Sequence, residues 1–213
     1  MGKIRIPDYS LSEELINSIS HGLGALLSIS GLVILIVNCN NAISVVTTSI
    51  YGSTMILLYL ISCIYHGLSK NLKAKGVMRV IDHCNVYLLV AGTFTPITLA
   101  LIGGAFGWVW FGIVWLITIV GIVLTCIDVD KYSFISVILH LLLGWSCLVC
   151  YNPLFGAMDK YEILFLVIGG ICYTIGAGLY AIGKRKKYMH SIFHFFVLAG
   201  SIFHFFMILH FIA

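Results

Sequence analysis

Eight histidines stand in a chain of 213 residues of which only 9% are charged. Imidazole changes charge near neutral pH and ligates metals, and an ionisable group inside an apolar helix marks function by default because it is expensive there. His190 and His194 are i and i+4, so on a helix they share one face about 6 Å apart, a separation at which two imidazoles can grip one metal. Ser62 and His66 have the same spacing, which sets a hydroxyl one turn from a third imidazole. Asp82 opens the next apolar segment with a carboxylate. Three histidines with a fourth position open to water form the pattern of a catalytic zinc site, where the pKa of bound water falls to about 7. The residues predict His66, His190 and His194 as ligands, Asp82 as the group that orients water or acts as base and acid, and Ser62 beside the metal. Periodicity alone leaves open whether the three helices touch.

Each histidine also has a plainer reading. One imidazole at a helix end is usually an interfacial anchor or a hydrogen-bonded packing residue, and His66 alone would be read so. Two on one face need partners, and five polar groups at one depth favour a site. His83 lies about 100° around the helix from Asp82 and is expected to point elsewhere. His21 and His140, in the same half, are read as packing residues. His204 and His210 fall in the other half and are read as structural or interfacial. The seven cysteines are scattered, and Cys147 and Cys150, a CxxC on an apolar helix, are assigned to packing.

The elements that must carry these groups follow from composition. With 61% hydrophobic residues and far less than the roughly 25% charge of a soluble domain, the chain belongs in a bilayer. A spanning helix needs about 20 apolar residues, and seven such runs occur, at about 17–37, 42–66, 82–102, 107–127, 134–151, 161–183 and 190–212. Runs such as Leu139 to Leu143 exclude the strict alternation of a β-barrel. The expected fold is an all-α membrane protein, a seven-transmembrane helix bundle over 15–213 with residues 1–14 as a short cytoplasmic lead-in. Ser10, Ser12, Glu13 and Glu14 suit a capped amphipathic start to it.

Threaded through seven spans, eleven of the twelve Lys and Arg fall on one side and only Lys160 on the other. Positive loops stay in the cytoplasm, so the N-terminus is placed inside and the C-terminus outside. Trp108, Trp110, Tyr151 and Tyr161 would form an outer aromatic belt. The first span is too long for a cleavable signal. The basic charges sit in short loops at membrane ends, where anionic headgroups explain them, and nucleic acid is excluded as a partner. Pro96, beside Thr93 and Thr95, predicts a kink whose freed carbonyls the hydroxyls satisfy.

Several ordered motifs resemble the bacterial hemolysin III family. They are Glu13-Glu14-Leu15-Ile16-Asn17-Ser18-Ile19-Ser20-His21-Gly22, Tyr65-His66, Asp82-His83, Tyr87 through Pro96, and His190-Ser191-Ile192-Phe193-His194 through Gly200. That family sits with the adiponectin and progestin receptors (the PAQR group) and, more distantly, the alkaline ceramidases. The resemblance implies zinc held by His66, His190 and His194 near the cytoplasmic face, with Asp82 as the water partner and Ser62 near the metal. Cys84, Asn85, Phe94 and Ser191 depart from the family pattern, and Ser191 removes any acid–base role borrowed from that position. The receptors' long N-terminal region is absent, which argues against hormone-type signalling.

The expected function is a zinc-dependent intramembrane hydrolase, a ceramidase-like amidase or esterase, cutting a lipid-like substrate from the cytoplasmic leaflet of a bacterial plasma membrane. Two alternatives stand beside it: a cytolytic or pore-forming protein, and a non-catalytic zinc-binding protein of membrane-lipid homeostasis.

Overall fold

Ser10 starts the first helix. Its side chain accepts the Glu13 N–H while Glu13 returns a bond to the Ser10 N–H, a complete capping box. The helix, α1, runs Leu11–Asn38, so the residues expected as a lead-in form its first turn. Glu14, Asn17, His21, Gly24, Ser28, Gly31 and Leu35 are all buried, a three–four spacing that puts one stripe of α1 against the bundle. This computed structural model describes residues 4–149, 151–183 and 186–213, so Lys3, Cys150, Lys184 and Arg185 lie outside the described residues, as does the side chain of Tyr151.

The next helices are α2, Ala42–Gly67, α3, Lys73–Pro96, and α4, Gly104–Ile127. The third begins at Lys73, well before Asp82, because Lys75 and Arg79 are buried in ion pairs rather than solvated in a loop. Beyond Pro96 the chain continues as a π-helical segment, Ile97–Ile102. The threonine hydroxyls bond one turn back, Thr93 to the Leu89 carbonyl at 2.8 Å and Thr95 to the Ala91 carbonyl at 2.7 Å. They therefore do not reach the Gly92 carbonyl that proline frees. Gly103 and Gly104 turn the chain with φ of 65° and 58°, a region that residues with a Cβ seldom adopt.

The remainder comprises α5, Ser133–Gly144, with a 3₁₀ turn Trp145–Leu148, then α6, Tyr151–Ala157, α7, Lys160–Gly183, and α8, Met189–Ile212. Among the described residues six helices are long and apolar enough to cross a membrane, and Ser133–Leu148 is a shorter apolar helix. The expected span at 134–151 is thus interrupted, since α5 ends at Gly144 and the chain tightens into the 3₁₀ turn before α6. No strand occurs among the described residues. The architecture is an all-helical, multi-pass membrane protein.

Packing orders the bundle. Helix α1 lies against α2 and α8, α2 against α3, α7 against α8 and α3 against α4, while α5 touches α3, α4 and α7. Buried hydroxyls tie the layers: Tyr59 on α2 donates to Ser201 on α8 at 2.6 Å, and Tyr173 on α7 shares that serine at 2.7 Å. The outer faces carry exposed Leu, Ile, Val and Trp108, as a lipid-facing surface should. Tyr161 is exposed with them, whereas Trp110 is half-buried.

Candidate metal centre

The last turn of α2 and the first two turns of α8 bring three imidazoles together. His66, His190 and His194 are buried, and each offers a ligand atom within 4.8 Å of the others. The Nε2 atoms of His190 and His194 are 3.1 Å apart. Two Zn–N bonds of about 2.0–2.1 Å at a tetrahedral angle separate their nitrogens by roughly 3.3 Å, so this pair already has near-ligand spacing. The Nε2 of His66 is buried with no hydrogen-bond partner. An orphaned acceptor beside two converging imidazoles is the feature a bound cation would explain, and the donor set suits one.

The other edge of His66 explains its orientation. Its Nδ1 lies 2.6 Å from Glu14 Oε2, and because a carboxylate accepts, Nδ1 carries the proton and Nε2 presents its lone pair. A carboxylate behind a ligand histidine fixes tautomer and ring direction. Lys75 neutralises the other oxygen of Glu14, with Nζ 2.6 Å from Oε1, and also donates to the Leu68 carbonyl at 2.8 Å. Asn17 approaches the same His66 nitrogen at 3.4 Å. Four helices thus meet through α1 Glu14, α2 His66, α3 Lys75 and the α8 pair.

Glu13 performs the matching service for α8. Its Oε1 accepts the Tyr188 N–H at 2.8 Å, and Tyr188 adopts a left-handed φ of 62° just before the helix. Such a conformation in a bulky residue costs on the order of 1–3 kcal/mol. Here the carboxylate of α1 holds it in place, which sets the start of α8, and hence His190, beside α1.

Asp82, Ser62, His21, His190 and His194 line one cavity of about 180 Å³. Ser62 is buried one turn before His66. Asp82 is half-buried, and His83 Nδ1 lies 3.8 Å from its carboxylate. His83 does not turn away as expected. It lines the same cavity, donating from Nδ1 to the Arg79 carbonyl at 2.8 Å, with Nε2 3.2 Å from the Tyr180 hydroxyl. His21 is not remote packing either, since its ring stacks on His194 with centroids 3.8 Å apart. His140 stacks on Tyr87 and borders the cavity as well. At the opposite end of α8, His210 sits between Glu162 (3.1 Å) and Asp159 (3.7 Å), three side chains that could also hold a cation.

An N-terminal strap lies over this end of the bundle. Tyr9 stacks on His190 with centroids 4.8 Å apart. Arg79 donates to the Arg5 carbonyl at 2.6 Å and to Asp130 at 2.8 Å, while the Arg5 N–H bonds Asp130 at 3.3 Å. Lys70 pairs with Asp8. The Arg79 hydrogen bond holds the Asp130 carboxyl below its ordinary value of 3.8. A lowered folded pKa means that this contribution is complete above the ordinary value and is lost as pH falls through the lowered one. Asp130→Asn should therefore loosen the strap at neutral pH by a factor of a few, the scale of a half-exposed ion pair, as acid does in the native chain. Tryptic cleavage after Arg5 reports it, and an unchanged rate would show that the Arg5 carbonyl bond alone suffices.

Glu14, Lys75, Tyr9 and His21 are the neighbours that the sequence reading left out of the site. One signal was present: Glu14, Asn17 and His21 fall at 0, 3 and 7 on one helical stripe, polar groups on the face that must be buried.

The sequence matches the family described as Haemolysin-III related over residues 9–205. It is 35% identical to Hemolysin-3 of Bacillus cereus over 205 residues, covering 95% of this chain and 93% of that protein. It is 36% identical to the Hemolysin-3 homolog of Bacillus subtilis (strain 168) over 196 residues, covering 91% of each.

Proposed function

The chain belongs to the haemolysin-III-related family, and on that footing we propose that it is a zinc-dependent hydrolase of amide or ester bonds in lipid-like substrates, working from the cytoplasmic leaflet of a bacterial plasma membrane. The single observation that carries this reading is the convergence of His66, His190 and His194 on one another, beside a cavity lined by His190, His194, Asp82 and Ser62. Three imidazoles without a thiolate suit zinc. Bound there, the ion supplies Lewis-acid polarisation of a carbonyl and a lowered pKa for water.

The protein's own groups supply the rest. Glu14 holds the proton on His66 Nδ1 so that Nε2 stays a lone-pair donor. The Asp82 carboxylate, with His83 Nδ1 3.8 Å away, lines the cavity and takes a proton from attacking water and returns it to the departing amine or alcohol. Ser62 offers a hydroxyl to hold the substrate's polar group. Tyr9 and the strap shield the centre from bulk water, which strengthens every electrostatic interaction inside. Ser133–Leu148 serves as a seventh, short span, so the N-terminus and the histidine centre face the cytoplasm with the basic loops, and the C-terminus lies outside.

The relatives' name supports a second reading, lysis of membranes. A pore needs a continuous polar wall, whereas this cavity is walled mainly by residues such as Leu58, Val86, Leu89, Phe94, Ile97 and Val197. Turnover separates the readings. His194→Ala should reduce hydrolysis of a fluorogenic lipid amide or ester by purified protein to background. Full activity in that variant sinks the hydrolase, and ion conductance by the purified protein in pure-lipid bilayers would support lysis in its place.

A further inference from the structure

The cavity does not end at the metal-ligating histidines. On α8 it extends from His190 to His204, about 21 Å at 1.5 Å per residue. Its volume of about 180 Å³ has room for on the order of ten water-sized groups. Along this length the wall is mainly apolar, with Thr93, Thr125 and Ser136 among its polar members, which suits a hydrocarbon chain. At the far end stands a polar atom without a partner. His204 Nε2 donates to the Leu166 carbonyl at 3.3 Å, and a carbonyl can only accept, so Nδ1 is left as a bare acceptor. That Nδ1 is buried with no hydrogen-bond partner.

The ring's setting is built rather than incidental. Gly169 on α7 leaves a notch that the Cδ2–Nε2 edge of His204 fills, and a Cβ there would stand 2.3 Å from Cδ2 and 2.5 Å from Nε2. With that edge seated, the Nδ1–Cε1 edge faces the opposite way. Tyr173 braces the ring edge-on, centroids 5.3 Å apart, and its own hydroxyl is engaged by Ser201, so it does not satisfy Nδ1. His140, from α5, carries a second buried and unpartnered nitrogen, Nε2. Both histidines border the main cavity and the smaller one that adjoins it.

We propose that the far end of this cavity is a hydrogen-bonding subsite that selects an apolar chain bearing a hydroxyl, with His204 Nδ1 accepting the hydroxyl proton and His140 Nε2 approaching from another wall. A hydroxyl has one proton to donate, which it gives to the fixed acceptor on His204, and its oxygen accepts from His140 where Nε2 carries that ring's proton. A plain hydrocarbon chain leaves the His204 acceptor unsatisfied, which costs it affinity. The inference rests on the reading of the cavity as a lipid-chain site and adds which chain it prefers.

Competition against a fluorescent fatty-acid probe on the purified full-length protein tests it. The competitors are a long-chain fatty acid and a series of the same chain hydroxylated at successive positions toward the methyl end. One position in the series should bind about tenfold tighter than the plain chain. His204→Gln keeps an amide able to reach the Leu166 carbonyl while presenting nothing at the Nδ1 position, so the fold is retained. It should erase that preference, so that plain and hydroxylated chains bind alike. Equal affinity for plain and hydroxylated chains, or a preference that survives in His204→Gln, overturns the subsite while the lipid cavity stands. Failure of every chain to displace the probe overturns the lipid cavity and the subsite with it.

Discussion

Lys75→Met is expected to destabilise the protein by about 3–5 kcal/mol, the usual cost of removing one partner from a buried ion pair. Lys75 is 1% exposed and Glu14 8%, and the lysine's contacts are the Glu14 carboxylate, the Leu68 carbonyl and the face of Tyr65, 5.2 Å from its ring centre. Without the ammonium, the Glu14 carboxylate is left buried beside a neutral imidazole. Restoring neutrality by adding Glu14→Gln should recover much of the loss, because replacing both members of such a pair is often nearly neutral. Unfolding in detergent, followed by chemical denaturation, measures both variants. A Lys75→Met protein as stable as the native one would show that Glu14 does not depend on it.

Glu14→Gln alone is expected to weaken metal binding about 10- to 100-fold, the range seen when the carboxylate behind a ligand histidine is removed. The native contact is a 2.6 Å bond from His66 Nδ1. Glutamine can still accept that proton through its amide oxygen, so the ring stays in place while losing the negative charge that makes Nε2 a better donor. Chelator competition on folded protein reads the effect. Affinity equal to the native value would confine Glu14 to a structural pairing with Lys75.

The sequence made the three-histidine set legible through helical spacing and depth, since His190 and His194 could share a face and His66 lay at the same level. It did not make the supporting carboxylate legible. Glu14 lies four residues after a capping serine, where an acid ordinarily complements the helix N-terminus in water; only the packing of α1 against α2 and α3 carries it inside. Lys75 and Arg79 misled in the same way. Basic residues between apolar runs suggest a loop, yet each has an acidic partner far away in sequence, the buried Glu14 and the exposed Asp130, and so α3 starts early. The apolar run at 134–151 suggests one unbroken span because continuous apolarity hides a change of helix type, the 3₁₀ turn after Gly144. His204 was read as structural from its depth alone. What gives it meaning is a cavity bordered by several helices, and no single-segment pattern contains that.

The most direct measurement of the central claim is metal content by elemental analysis of the purified native protein and of the His190→Ala/His194→Ala double variant, with a folded-state control on each. The account predicts close to one zinc per native chain and background metal in the double variant. A native protein without zinc, or a folded double variant that retains it, contradicts the account.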